Sequence, residues 1–245
     1  MNEIIQHADA YKNDEMIKLS LDDGNKYTVQ RAILCGLSDY LKKALTGGFM
    51  ETGKKELKLP GCTTSDVEFL IYWVSHSKFP DFVKELSEMP GCMRPKPATD
   101  NDLRKQYDAF VQAAKDLQIK LVRLWIAADM WLMPRLQNEA MRALLRVLDS
   151  DDLNVKLSPE TARVAWEETA EGSRMRAMMM WEARVATNGG RLGTFYSAAE
   201  LDAFAAIPGL FEDYAAGAPD MDACDILVRP FWEFLVPEPT IDYWW

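Results

Sequence analysis

Ile17, Leu19 and Leu21 alternate with Lys18 and Ser20, a period of two that predicts a strand with one buried face. Asp22-Asp23-Gly24-Asn25 is a turn sequence, so Lys26 to Val29 reads as the returning strand of a hairpin. An apolar helical stretch follows over 31–35. Ser38 and Asp39 then offer a cap for a second helix, Tyr40 to Leu45, stopped at Gly47-Gly48. Glu56 to Pro60 alternates again and predicts a short strand. Thr64 or Ser65 is placed to cap a helix from Asp66 to Val74, with Val67, Leu70, Ile71 and Val74 on its apolar face. A hairpin, helices, a lone strand and another helix make an α+β unit and not a βαβ repeat.

Ser77 to Asp102 breaks the periodicity with Pro80, Pro90, Pro95, Pro97 and Gly91. It reads as an exposed, mobile insertion with one helical turn at Phe82 to Leu86. From Asp102 the chain turns helical. Phe110, Ala113, Ala114 and Leu117 share one face, and Leu121, Val122, Trp125, Ala128 and Leu132 share the next. Pro134 suits the first turn of a following helix that carries Leu136, Ala140, Leu144 and Leu148 inward. Ser158-Pro159-Glu160 starts another. Ser173 begins a helix that ends at Asn188-Gly189-Gly190, and Ser197-Ala198-Ala199-Glu200 is a capping box.

Net charge of −10 works against binding nucleic acid or anionic membranes directly, and no long Lys/Arg run offsets it. Cys35, Cys62, Cys92 and Cys224 lie far apart without a CxxC pair, the spacing of free thiols and not of a zinc site. Residues 1–7 lack the basic and apolar regions of a secretory signal, and no apolar run reaches the ~20 residues of a membrane span. Cytoplasm or nucleus is the expected location. His7 and His76 have no Ser or Cys at suggestive spacing. Asp22-Asp23 and Asp151-Asp152 read as caps and solvated loops, and Asn188-Gly189-Gly190 lacks the Lys-Ser/Thr of a phosphate loop. No catalytic, cofactor or metal residues are therefore nominated, and the chain is expected not to be an enzyme.

The run from Tyr27 to Thr52 resembles the first half of a BTB/POZ domain, in which a hairpin leads into a buried helical pair and then a short strand like Leu57-Lys58-Leu59-Pro60. Asp66 to Val74 resembles the next helix of that family, and Leu121 to Met141 its last helical hairpin. Thr46-Gly47-Gly48-Phe49 and Leu136-Gln137-Asn138-Glu139 are similar to the filamentous-fungal branch, as is Glu171-Gly172-Ser173 with its following helix. The resemblance implies a BTB/POZ-like domain over 14–148, a small sheet flanked by helices with an insertion at about 77–102. An α-helical C-terminal extension over 149–245 would follow. Gln30 stands where the family usually has a structural His. The segment before Ile17 is short beside the arm that, in many animal members of the family, supplies a helix swapped across the dimer.

The function implied is a non-catalytic adaptor or scaffold that binds protein partners, among them a second copy of itself or the cullin scaffold of a ubiquitin ligase. The alternative is a transcription-associated oligomerisation module acting through partners. Phe49-Met50-Glu51 resembles the hydrophobic-x-Glu pattern of cullin-binding BTB proteins, in which an apolar side chain fills a pocket beside a carboxylate contact. Alternatively, Phe49 packs locally and Glu51 is solvated. Met175, Met178 and Met179 read as core, whereas Met180 falls off their face and is expected to be exposed. Tyr243-Trp244-Trp245 reads as either a partner-binding peptide or a clasp over the C-terminal helices.

Overall fold

A computed structural model describes residues 15–46, 55–92, 101–187, 196–216 and 231–238. The class is mixed α+β, a small three-stranded sheet with helices. The chain divides into two compact units, residues 1–77 with 127–136, and residues 78–126 with 137–245.

In the first unit β1 (Met16–Ser20) lies centrally, antiparallel to β2 (Lys26–Gln30) and parallel to β3 (Glu56–Lys58). The register sets Ile17 opposite Val29 and Leu19 opposite both Tyr27 and Leu57. Alternation puts Ile17, Leu19 and Leu57 on the buried side. Gly24 closes the hairpin with φ of 85°, a backbone that favours glycine. The acids beside it are more than solvated loop. Asp23 accepts from the Asn25 amide at 2.9 Å and from Thr64 Oγ1 at 2.7 Å, and Asp22 accepts from the Gly61 amide at 3.0 Å.

Helices α1 (Arg31–Leu37) and α2 (Asp39–Thr46) form the expected pair. Ser38 caps α2, accepting from the Tyr40 and Leu41 amides at 3.0 and 3.3 Å, and its hydroxyl donates to the Trp131 carbonyl. Helix α3 (Thr64–His76) is capped by Thr63 and not by Thr64 or Ser65. Asp66 decides this: its carboxylate accepts from the Thr63 amide at 2.7 Å while Thr63 Oγ1 accepts from the Asp66 amide, a reciprocal pair that only the three-residue spacing allows. Of its expected apolar face, Val67 and Leu70 are buried, whereas Ile71 and Val74 are half-buried.

The insertion is not wholly exposed. α4 (Phe82–Ser87), capped by Asp81, buries Phe82 and Leu86. Gly91, at φ of 90°, passes so close to the next helix that a Cβ there would sit 2.6 Å from the Tyr107 amide nitrogen. That helix, α5 (Asn101–Met130), is followed by α6 (Pro134–Leu148), which turns Leu136, Ala140, Leu144 and Leu148 inward. Leu132 departs from expectation. It adopts φ of 53° in the turn between the two helices and is 63% exposed. A left-handed residue ends the helix there, which swings its side chain off the buried stripe of Leu121, Val122, Trp125 and Ala128.

The second unit adds α7 (Pro159–Glu168), α8 (Arg174–Thr187), α9 (Ala198–Ala205), α10 (Leu210–Ala216) and a 3₁₀ turn at Phe231–Phe234. The caps of α7 and α9 are Ser158 and Ser197, as expected. Met180, expected outside, is buried along with every residue from 178 to 185. The reason is that α8 is covered on several sides. Arg176 donates to the Trp166 carbonyl of α7 at 2.6 Å, Arg184 to the Tyr214 carbonyl of α10 at 2.7 Å, and Trp181 lies 5.9 Å from Phe234, centroid to centroid.

Candidate functional site

Phe49, Met50 and Glu51 lie outside the described residues, as do His7, Cys224 and Tyr243-Trp244-Trp245. The described flanks of the first three are tied down by charge. Arg31 donates to the Leu45 carbonyl at 2.8 Å near the end of α2. Glu15 joins Lys55, next to β3, at 2.7 Å and Arg31 at 3.4 Å. The hydrogen bond from Lys55 is the main reason the Glu15 carboxyl sits below its ordinary range.

Other sequence-nominated groups resolve into structural roles. His76 ends α3, exposed, with its ring stacked 4.1 Å from Tyr72 and Nδ1 2.9 Å from the Tyr72 carbonyl oxygen. Burial pushes the Cys62 thiol up to about 12, which suppresses the reactive thiolate at neutral pH. Trp125 and Trp131 are packed in the interior. Among the described residues no group of three or more His, Cys, Asp and Glu could hold a metal ion. No helix among them is long and apolar enough to cross a membrane.

A groove forms within the second unit between the insertion and α6, with a volume of about 190 Å³. Phe82, Ala143 and Val147 supply buried apolar floor, and Phe79, Pro80 and Val83 are half-buried walls. Lys78 and Arg146 stand exposed at its rim, with Asp81 and Glu139. Asp81 accepts from the Lys84 amide as the cap of α4, and Glu139 accepts from Arg142 at 2.7 Å. Arg142 also reaches Glu238 at 3.8 Å, so α6 already holds a carboxylate of the C-terminal segment one turn before Arg146.

The sequence reading missed the buried polar residues that position these elements. Gln118 is fully buried on α5. Its amide donates to the Lys156 carbonyl at 3.0 Å and accepts from the Ser158 amide at 3.0 Å and Thr161 Oγ1 at 3.2 Å. Asn138 does the same work on α6 for the segment around Val236. Glu182 is buried within α8, and desolvation pushes its carboxyl up to about 8. The available signal was position: Gln118 falls between Ala114 and Leu121 on an apolar stripe, and Asn138 leads another through Met141 and Leu145. A polar residue on such a stripe must find an internal partner. No model of a known protein family matches the chain, and no curated protein matches it.

Proposed function

We propose that the chain is a non-catalytic protein–protein interaction adaptor of BTB/POZ type that bridges a cullin-based ubiquitin ligase and a client protein. The observation that supports this reading is the order of elements in the first unit. A hairpin leads to a helical pair and a third strand beside β1. A helix follows, and the turn between α5 and α6 then returns to the pair through the Ser38–Trp131 hydrogen bond. That is the order the family resemblance implies. In this reading Phe49, Met50 and Glu51 meet the cullin, and the insertion with the C-terminal helices selects the client.

The test is capture of a purified cullin N-terminal domain by the full chain, with self-association followed by light scattering. Saturable cullin capture supports the ligase role. A chain that captures no cullin and stays monomeric at all concentrations rules out both partners this reading names.

A further inference from the structure

We propose that residues 239–245 of this chain dock on α6, in a hollow between Arg142 and Asp149, with their aromatic side chains over Leu145. Tyr243-Trp244-Trp245 is then a clasp on the second unit and not a free partner-binding peptide. Residues 239–245 lie outside the described part of the chain, but the receiving surface and the approach to it lie within it.

The approach comes first. Asn138, Arg142, Leu145 and Asp149 follow one another at helical spacing, so they form one stripe along α6. The described chain already runs on this stripe. Val236 is paired to Asn138 through both its amide and its carbonyl, and Glu238 reaches Asn138 at 2.8 Å and Arg142 at 3.8 Å. The chain thus advances from Asn138 towards Arg142, and Leu145 is the next residue in its path. Pro237 and Pro239 keep it straight: each fixes its own φ at about −65° and biases the residue before it to an extended backbone.

Length fits as well. A helix rises ~1.5 Å per residue, which sets Leu145 roughly 10 Å and Asp149 roughly 16 Å beyond Asn138. An extended chain covers ~3.3 Å per residue. Residues 241–243 therefore fall between those two levels, with Trp244 and Trp245 at the far end of the hollow.

The surface suits what arrives. The hollow has a volume of about 520 Å³, within the ~300–1,000 Å³ of sites that bury drug-sized molecules, so it has room for more than one large side chain. Among the described residues it is lined by Arg142, Leu145, Arg146 and Asp149, so its apolar floor is Leu145 flanked by two arginine stems. Guanidinium planes also stack on aromatic faces. Four of the seven arriving residues are large hydrophobes, Ile241, Tyr243, Trp244 and Trp245. Charge does not select the occupant, because Arg142 and Arg146 stand against Glu139, Asp149 and Glu238. Path, length and aromatic content select it.

Tethering favours this segment over a competitor. Phe234 is buried beside Trp181, and Glu238, held by Asn138, immediately precedes Pro239. A segment fixed that close acts at an effective concentration of about millimolar, above that of most soluble partners.

The experiment places the photo-crosslinker p-benzoylphenylalanine at Tyr243 in the full chain and maps its products by size and by mass spectrometry. A crosslink within one chain to the stretch 142–149 is expected as the main product. In a second variant, Trp244→Ala/Trp245→Ala should lower the melting temperature by at least about 2 °C. Main products that join two chains would assign the hollow to a second copy and overturn the proposal. Crosslinks within one chain to other stretches, no crosslink, or an unchanged melting temperature in the tryptophan variant also overturn it. Neither measurement involves a cullin, so neither outcome bears on the adaptor reading.

Discussion

The Asn138 side chain pairs with the backbone of Val236 at both of its polar groups, donating to the carbonyl at 3.0 Å and accepting from the amide at 2.8 Å. The amide thereby imitates a neighbouring strand, and its second proton goes to Glu238 at 2.8 Å. Helix α6 holds an irregular segment in this way without a sheet to receive it. Asn138→Ala leaves both backbone groups of a half-buried residue without protein partners, and should cost about 1–3 kcal/mol. Hydrogen exchange at the Val236 amide should accelerate in step. Unchanged protection of that amide in the alanine variant would show that Phe234 alone fixes the segment.

Glu182 couples stability to pH. Its folded-state carboxyl is pushed up to about 8 by burial, so the folded chain keeps a proton that the unfolded chain releases near its ordinary value of 4.5. The stability linked to this proton is fully present below that ordinary value and is lost as pH rises through about 8. Relative to wild type, Glu182→Gln should be nearly neutral at about pH 4 and stabilising at about pH 9, the difference growing between them by at most ~1.4 kcal/mol per pH unit. Urea denaturation across that range measures it. A constant difference at all pH values would mean that Glu182 stays ionised when folded.

Gly91 combines a left-handed φ with main-chain contact to α5. Gly91→Ala would drive a methyl group into the Gln106–Tyr107 peptide, and neither backbone can yield without unwinding a turn. A loss of about 1–3 kcal/mol is expected, read as a lower melting temperature. Gly61→Ala is the control: its φ of 74° is also left-handed, but a Cβ there meets open space, so its loss should be smaller.

Under the adaptor reading, Phe49→Ala should weaken cullin capture roughly thirtyfold, the equivalent of ~2 kcal/mol, with Glu51→Lys weakening it further by charge reversal. Neither should shift the melting temperature. Retained capture with a stability loss of ~3–5 kcal/mol would instead assign Phe49 to packing.

The hairpin, the helical pair and the inward face of α6 were legible because alternation and helical spacing report burial directly. Thr63 was missed because three hydroxyl candidates, Thr63, Thr64 and Ser65, stand in a row, and only the Asp66 reciprocal bond chooses among them. Leu132 was misplaced because a left-handed end to a helix needs no glycine when Pro134 fixes the restart. Met180 was misplaced because one stripe predicts one buried face, whereas α8 is covered by three partners distant in sequence. Helix α10, seven residues after a Pro-Gly turn, carries too short a pattern to read. The groove needs the insertion and α6 side by side, and no local pattern encodes that meeting.

The hydrogen bond from Ser38 to the Trp131 carbonyl joins residues 93 apart in the chain. At ~5–20 residues per second, a ribosome would take roughly 5–20 s to make the second partner after the first. Over that interval the sheet and the helical pair exist without the turn that completes their unit, with Leu34, Leu41 and Leu45 on the side of α1 and α2 destined for the interior. The second unit begins to emerge before the first can close, because residues 78–126 are synthesised between them. Nascent chains of this protein therefore present greasy surface for longer than a contiguous domain of equal size. Their yield in the cell should depend on holdase chaperones acting before residue 136 has left the exit tunnel.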